Sequence, residues 1–355
     1  MSTSPVSSTN WDSVKKNTTL KQSCLKQAHQ LIRSVRCPLL ICHVAPDGDA
    51  VGSLTGLGRA LHQMGLEPTL ACSDPIPARF NYLPGVQTVV QEIGEGEEVS
   101  FDLVISLDCS DVERMGNFSP MPTLGSTPLL NIDHHLTNSH FGDVNLVDRH
   151  ASSTAEIVFR LLEHMAIPLD AEIATALLTG IVTDTRGFRT SNVTIQVMET
   201  ALRLMQAGAS LPRIIRHSLN RRSTAAIRLW GAAMSQLQIE DRVFWVSLPL
   251  AMRRAVDYTS NGDAGLASFL VSAEEADVAA VFVEREDGRV EVGLRAVPGF
   301  DVAQVALQFG GGGHALAAGC DLPGPLEEAQ TRVLLALRAS LARQRRSHHG
   351  DARRA

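Results

Sequence analysis

Short apolar segments of about five residues alternate with longer amphipathic segments through the first half of this 355-residue chain. The short segments have the usual length of strands, whereas the longer ones repeat their apolar residues with a helical period. Strands that alternate with helices in this way are typical of a parallel sheet with helices on both faces. The sequence therefore predicts an α/β fold, with strands at residues 38–42, 67–71, 103–107 and 129–132.

The predicted helices lie between and after these strands. Pro168 and Asp170 mark the start of one of them, because both residue types are favoured around helix N-termini. Ser153 and Glu156 have the spacing of a capping box, in which a hydroxyl and a carboxylate each accept a backbone N–H at the helix start. The predicted helices cover residues 20–36, 50–64, 153–165, 171–182 and 193–207.

A second, smaller α/β domain is predicted in the remainder of the chain. Residues 213–238 form a basic helical segment of the kind that connects domains, and we place the boundary near residue 220. Beyond it, strands are predicted at 243–248, 278–283 and 290–294, and helices at 264–271, 302–308 and 326–342. We therefore expect a disordered N-terminal tail (1–19), a first domain (20–220), a helical connector (221–239), a second domain (240–342) and a basic disordered tail (343–355).

Composition limits the kinds of partner this chain can have. Its formal net charge of -6 argues against a stable complex with long nucleic acid, because that affinity comes from many Lys and Arg contacts to phosphates. Short phosphorylated substrates remain compatible with this charge. No apolar run approaches the roughly 18 residues that span a bilayer, residues 1–19 are polar, and the six scattered cysteines indicate reduced, buried thiols. We expect a cytoplasmic protein without a membrane partner.

Acidic and imidazole side chains follow three of the predicted strands and end one predicted helix. In an open α/β sheet, ligands bind at the carboxyl ends of the strands, so these clusters are expected to share one crevice. Asp47 and Asp49 flank Gly48, which we expect to accept an unusual φ in a tight turn that brings both carboxylates together. Two such carboxylates would repel each other without a cation. The clustered residues are His43, Asp47, Asp49, Asp108, Asp133, His134, His135 and Asp184.

Taken one at a time, these clusters have ordinary explanations. The segment from His43 to Asp47 alone suits a structural turn, Asp108 alone suits a helix cap, and Asp133-His134-His135 alone suits a surface loop. The occurrence of all of them at the ends of predicted elements favours a shared metal site instead.

Six of these residues have side chains that could bind a metal ion, and none of the six is a cysteine. Their two imidazoles and four carboxylates suit Mn²⁺, with Mg²⁺, Co²⁺ or Zn²⁺ as alternatives. Six ligands exceed what one site with open positions needs, whereas two ions about 3.5–4 Å apart, bridged by one carboxylate, would use all of them. Two-metal sites of this kind hydrolyse phosphate esters. The predicted ligands are His43, Asp47, Asp49, Asp108, His134 and Asp184.

The order and approximate spacing of these motifs resemble those of the DHH phosphoesterase superfamily, which is named after the motif at residues 133–135. The likeness covers roughly residues 35–322, and includes residues 111–114 and 180–189. Arg186 stands where many relatives have glycine, so we expect the local loop to differ or to add a cation to the site. The resemblance implies that His43, Asp47 and Asp108 hold one metal ion, and that Asp49, Asp108, His134 and Asp184 hold the other.

The resemblance also implies roles around the two ions. Asp108 is expected to bridge them and His135 to face the substrate phosphate, which makes these two the predicted catalytic residues. Asp133 is expected to orient its neighbours from behind the metal ligands. Arg114 and Asn138 are expected to bind substrate.

Residues 309–320 contain four consecutive glycines and resemble the glycine-rich signature of the DHH-associated C-terminal domain. A glycine run alone is as often a flexible linker, but the flanking helix pattern and His314 favour a binding segment. We expect its successive N–H groups to open a helix and cradle an anion, with Arg295 adding positive charge. The resemblance implies an active site in the cleft between the domains, with substrate contacts from Arg295, Gly311, Gly312, Gly313 and His314.

The two-domain length most resembles the branch of the family that degrades RNA of a few nucleotides to mononucleotides. That branch also removes the 3′ phosphate of 3′-phosphoadenosine 5′-phosphate (pAp) to give AMP. The alternative is a phosphodiesterase for cyclic dinucleotides or for the linear dinucleotides pApA and pGpG. A RecJ-like single-strand exonuclease or a noncatalytic nucleotide-binding protein is less favoured, because there is little room for extra domains and all six ligands are present. The resemblance makes a homodimer plausible.

Overall fold

The computed structural model describes residues 22–93, 100–119, 127–259 and 262–351. These residues form two compact units that divide after Arg221. The predicted tail at residues 1–19 lies outside the described residues.

The first unit contains a five-stranded sheet in which all neighbouring strands are parallel. The strand order is β2-β1-β3-β4-β5, so β1, β3 and β4 lie side by side. The four predicted strands are confirmed, with β2 two residues shorter than predicted. The fifth strand was not predicted, because it is a short edge strand in which only Leu146 is fully buried. The strands are β1 (Pro38–Cys42), β2 (Thr69–Ala71), β3 (Leu103–Leu107), β4 (Leu129–Asp133) and β5 (Val144–Val147).

The two faces of this sheet are covered differently. Leu40, Ile105 and Leu130 lie in register on one face and share a core with the α-helices. On the other face, Leu39 and its neighbours pack against a 3₁₀ helix at Val112–Phe118. The α-helices are α1 (Gln22–Arg33), α2 (Gly48–Gln63), α3 (Thr154–His164), α4 (Ala171–Asp184), α5 (Ile195–Gln206) and α6 (Leu211–Ile215), and α6 leads into a π-helical turn at Arg216–Asn220.

The predicted capping box at the start of α3 is confirmed. The Ser153 hydroxyl accepts the N–H of Glu156 at 3.1 Å, and the Glu156 carboxylate accepts the N–H of Ser152 at 2.7 Å. Both N–H groups are buried, so these bonds fix the position of the helix start.

The second unit contains a mixed six-stranded sheet in the order β10-β11-β9-β8-β7-β6. Only β7 and β8 run parallel among its neighbouring strands in the described residues. Separate apolar cores cover its two faces. The elements are α7 (Thr224–Met234), β6 (Gln238–Glu240), β7 (Val243–Leu248), α8 (Leu250–Ala255), α9 (Leu266–Leu270), β8 (Val278–Glu284), β9 (Arg289–Ala296), α10 (Ala303–Gln308), β10 (Gly312–His314), β11 (Ala317–Pro323) and α11 (Leu326–Asp351).

Two predictions about the ends of this unit need correction. The segment predicted as a connector contains α7, which buries Ala226, Leu229 and Ala233 in the core of the second unit. The predicted disordered tail from residue 343 is helical as far as α11 extends. Gln344 bonds to Asp301 and Arg345 to Asp277, so tertiary contacts hold this turn of the helix.

Among the described residues, no helix is both long enough and apolar enough to cross a membrane.

Candidate metal centre

Three neighbouring strands of the first unit end at the candidate site. His43 follows β1, Asp108 follows β3, and His134 follows β4. Because these strands are adjacent and parallel, the three side chains are carried to the same edge of the sheet. The start of α2 adds Asp47 and Asp49, and the end of α4 adds Asp184.

The donor atoms of these residues lie close together around Asp108. His43 Nε2 is 3.4 Å from Asp108 Oδ2 and 3.9 Å from Asp47 Oδ1. His134 Nε2 is 3.7 Å from the other oxygen of Asp108, Oδ1. Asp108 therefore has one carboxylate oxygen near each imidazole, as a bridging ligand requires.

His134 is also the centre of a second group of carboxylates. Its Nε2 lies 3.6 Å from Asp184 Oδ2 and 3.9 Å from Asp49 Oδ2. Two sets of donor atoms, each mutually within 4.8 Å, could each hold an ion: His43 with Asp47 and Asp108, and Asp49 with His134 and Asp184. All six predicted ligands are thus brought together. His135 also falls within the same distance of Asp108 and His134.

Glycines allow α2 and α4 to pack closely beside the site. A Cβ at Gly48 would overlap the side chain of Thr183, one at Gly52 the carbonyl of Ala176, and one at Gly180 the carboxylate of Asp49. The φ angle expected of Gly48 was wrong, because this residue begins α2 and is absent from the glycines with positive φ. Gly48 is required by the close approach of α4 instead.

Asp108 has a left-handed backbone, with φ 62°. This conformation is uncommon for residues other than glycine, although aspartate and asparagine tolerate it best. The Asp108 N–H still donates to Ile132 O at 3.0 Å, so the backbone departs from the sheet directly after this bond. The strained residue is 2 % exposed and lies at the centre of the cluster, as backbone strain often does at functional sites.

Asp133 holds the ring of His135 in place. It is fully buried, and its Oδ1 is 2.7 Å from His135 Nδ1. Its Oδ2 accepts the Asn138 amide at 2.6 Å. Asn138 was predicted to bind substrate, but this side chain is buried, and it also donates to Cys109 O and accepts the His140 N–H. These contacts make Asn138 a support for Asp133, and its contact with substrate stays a prediction.

The start of α3 contributes contacts that were not predicted. The N–H groups of Thr154 and Ala155 donate to the two oxygens of Asp49 at 2.6 and 2.9 Å. The Thr154 hydroxyl donates to Asp108 Oδ1 at 2.7 Å. The capping box located this helix start in the sequence, but nothing in the motif indicated that the cap would face two carboxylates more than forty residues away along the chain.

The carboxylates of the site differ in burial: Asp49 and Asp108 are buried, Asp184 is half-buried, and Asp47 is exposed. Within the part of the chain that the structure describes, the ion pairs of Asp47, Asp49, Asp108 and Asp184 are made with histidines alone. Burial and the neighbouring charges of Asp108 and Asp184 raise the pKa of Asp49 well above its usual value. Burial likewise raises the pKa of Asp184 to about 6, although the charge of His134 opposes it.

The pKa values of His43 and His135 are raised, because neighbouring carboxylates stabilise the charged imidazoles. Burial would lower the pKa of His43, but the nearby carboxylates of Asp108 and Asp47 raise it well above its usual value. For His135, the hydrogen bond to Asp133 and the charge of Asp108 outweigh burial and raise the pKa to about 9. Without a metal ion, the carboxylates therefore favour protonated imidazoles at His43 and His135.

The residues present fit divalent metal ions. Buried carboxylates are costly unless a positive charge compensates them, and the oxygen and imidazole donors suit a hard or borderline cation. Asp108 has one carboxylate oxygen beside His43 and the other beside His134, so this side chain could contact an ion on either side.

Metal affinity is expected to fall as the pH is lowered. An ion binds the ionised carboxylate, and in the metal-free protein a proton competes for Asp184 below about pH 6. Going from about pH 7.5 to about pH 5 should reduce Mn²⁺ affinity by about tenfold from Asp184 alone, and further from Asp49. Calorimetric titration at the two pH values tests this. Equal affinity at both would show that the site binds without displacing protons.

Arg114 lies close to this edge of the sheet. Its carbonyl accepts the N–H of Val44, next to His43, at 2.9 Å, and its own N–H donates to Asp111 at 3.0 Å. The backbone thus fixes a half-buried arginine beside the ends of β1 and β3.

The glycine-rich segment belongs to a groove of about 780 Å³ in the second unit. Gly310–313 and Arg295 line it, and Arg295 is held by Ser268 and by the carbonyl of Leu294. The expectation that the glycines open a helix was wrong, because Gly312 starts β10, which pairs with β11. His314 ends this strand and is exposed. The groove carries both signs of charge, from Arg285, Arg289 and Arg295 and from Asp263, Glu291 and Asp321.

The fold and the site together define an α/β protein with a metal-binding edge in one unit and a glycine-lined groove in the other. Residues 39–181 match the family described as "DHH family, N-terminal domain", and residues 251–342 match the "DHHA1 domain". The chain belongs to the DHH family.

Relatives with established names match most of the chain. It is 34% identical over 319 residues to the bifunctional oligoribonuclease and PAP phosphatase NrnA of Thermus thermophilus, covering 88% of this chain and 93% of that protein. The Bacillus subtilis protein of the same name is 28% identical, over 79% of this chain and 87% of its own length. An exopolyphosphatase-related protein from Bacteroides fragilis has the same fold, with a TM-score of 0.86, 24% identity, and coverage of 93% of this chain and 99% of that one.

Proposed function

We propose that this protein is a Mn²⁺-dependent two-metal phosphoesterase. It degrades RNA of a few nucleotides to mononucleotides and removes the 3′ phosphate of pAp to give AMP. The observation that carries this proposal is the meeting of six imidazole and carboxylate ligands around Asp108, which has one oxygen near His43 and the other near His134. The substrates are favoured by the 34% identity to a protein named for both activities.

Each metal-binding residue has a defined place in this proposal. His43, Asp47 and Asp108 hold one ion, and Asp49, Asp108, His134 and Asp184 hold the other. Two ions bound there would neutralise phosphate charge and supply a water nucleophile at neutral pH.

His135 is proposed to face the phosphate that is attacked. Its Nδ1 is held by Asp133 at 2.7 Å, which fixes the ring orientation, and this carboxylate favours the protonated ring by raising the pKa of His135. A protonated imidazole can stabilise the developing negative charge and give a proton to the leaving oxygen. Arg114 adds a fixed positive charge near the same strand ends.

The groove of the second unit is proposed to bind part of the substrate. The glycines leave backbone groups accessible along β10, and Arg295 can donate to a phosphate or to a sugar hydroxyl. A groove of this volume suits a mononucleotide or dinucleotide. The homodimer implied by the resemblance stays a prediction, which light scattering from the purified protein would test.

A substrate panel tests the proposed activity. With Mn²⁺ present, kcat/KM should be highest for RNA of two to five nucleotides and for pAp, and lower for cyclic di-AMP and for single-stranded DNA longer than about twenty nucleotides. The Asp108→Asn protein, purified in the same way, controls for contaminating nucleases. Dominant activity on cyclic di-AMP would overturn the substrate assignment, and dominant activity on long DNA would favour an exonuclease.

A further inference from the structure

Thr154 is the first residue of α3 and has no exposed surface. It contacts two of the proposed ligands through two different groups. Its N–H donates to Asp49 Oδ2 at 2.6 Å, and its hydroxyl donates to Asp108 Oδ1 at 2.7 Å.

The two oxygens that Thr154 contacts belong to the same side of the site. Asp49 Oδ2 and Asp108 Oδ1 are the oxygens that lie 3.9 and 3.7 Å from His134 Nε2. The other oxygen of Asp108 lies near His43 instead. Thr154 therefore fixes the ligands of one proposed ion and leaves the oxygen that serves the other ion without this contact.

The position of Thr154 in its helix explains why the hydroxyl is available. A threonine inside a helix commonly bonds the carbonyl three or four residues before it, as Thr55 does with Val51 O in α2. At the first position of α3 there is no preceding helical turn, so the hydroxyl can bond to Asp108.

We propose that the Thr154 hydroxyl is a positioning group that sets the pocket formed by Asp49, Asp108, His134 and Asp184 for its metal ion. The proposal rests on the two-metal function proposed above. A directional hydrogen bond to Oδ1 fixes the carboxylate plane of Asp108 and leaves the remaining lone pair of that oxygen directed at the pocket. Groups that orient metal ligands in this way typically change metal affinity by about 10–100-fold when removed.

Thr154→Val tests this role because valine has nearly the same shape and keeps the backbone N–H to Asp49. Calorimetric titration with Mn²⁺ alone is expected to give two ions per chain for the natural protein. In Thr154→Val, one ion should bind as before and the other about 10–100-fold more weakly. Thr154→Ser, which keeps the hydroxyl, should restore both. Thr55→Val is the matched control, because it removes a buried threonine hydroxyl that bonds only to a helix carbonyl, and should bind both ions normally.

The outcomes separate this role from the proposed function. Two normally bound ions in Thr154→Val would overturn the positioning role while leaving the two-metal function in place. Weak binding in Thr154→Ser equal to that in Thr154→Val would also overturn it, since a variant that keeps the hydroxyl would then bind the ion no better than one that lacks it. A natural protein that binds only one ion would overturn the positioning role and the two-metal function together. If circular dichroism shows that Thr154→Val does not fold, Thr154→Ala, which also lacks the hydroxyl, replaces it in the same comparison.

Discussion

Replacing Asp108 with asparagine is expected to reduce kcat on every phosphorylated substrate by about 10³-fold or more while the protein stays folded. Asparagine keeps the shape of the side chain and tolerates the left-handed backbone at this position, φ 62°, better than alanine does. It loses the second negatively charged oxygen, so it cannot bridge the groups around His43 and His134. Initial rates at saturating Mn²⁺, with circular dichroism of the same sample, measure the effect.

Asp241→Asn is the matched control for this substitution. Asp241 is also an aspartate with a left-handed backbone, φ 48°, but it lies at an exposed turn between β6 and β7 of the second unit. It should keep the activity of the natural protein. Undiminished turnover in Asp108→Asn would refute the assignment of Asp108 to both metal ions.

Replacing Gly311 with alanine is expected to destabilise the second unit by on the order of 3 kcal/mol. A Cβ at this position would overlap the carbonyl oxygen of Gly319 and would lie 2.5 Å from the Cβ of Cys320. Both contacts belong to β11, so the β10–β11 pair would have to separate. Urea unfolding followed by tryptophan fluorescence measures the loss, because Trp230 and Trp245 lie in this unit.

Gly312→Ala provides the comparison, since a Cβ there meets no atom within 4 Å. The free energy of unfolding should change by less than about 0.5 kcal/mol. The added methyl group would project toward the groove, because Gly312 lines it, and should raise KM by roughly tenfold, which corresponds to about 1.4 kcal/mol of binding. An unchanged KM on RNA and on pAp would remove the groove from substrate binding.

The parallel sheet and the metal ligands could be predicted from sequence because they follow local rules. Apolar strands of ordinary length end at polar residues, and parallel strands end at one edge of a sheet. The predicted bounds of β1 and β3 match the structure at both ends. The hairpin of β10 and β11 could not be predicted in the same way, because its glycines and alanines have no strand pattern. Close packing between the strands explains Gly311 and Gly313 only.

The contacts that hold the proposed metal ligands in place depend on tertiary structure, and few of them could be predicted from sequence motifs. In the sequence, Thr154 resembles any residue at a helix start. Its hydroxyl donates to Asp108 only because α3 packs against the end of β3 and the start of α2. Asn138 reads as a polar loop residue, yet burial directs its amide to Asp133. The need for glycine at position 48 could not be predicted either, because the side chain that leaves no room for a Cβ there belongs to α4.

The glycines at the contact between α2 and α4 affect the distance between two proposed metal ligands, Asp49 and Asp184. Gly52 and Gly180 have no side chain that could bind an ion. A Cβ at either position would overlap atoms of a neighbouring helix, which is α4 for Gly52 and both α2 and α3 for Gly180. Asp49 lies at the start of α2 and Asp184 at the end of α4, so the distance between these helices affects the width of the space that an ion can occupy. Glycine inside a helix costs about 1 kcal/mol relative to alanine. Glycine therefore makes each helix less stable, but the absence of a side chain at these two positions maintains the spacing between the ligands.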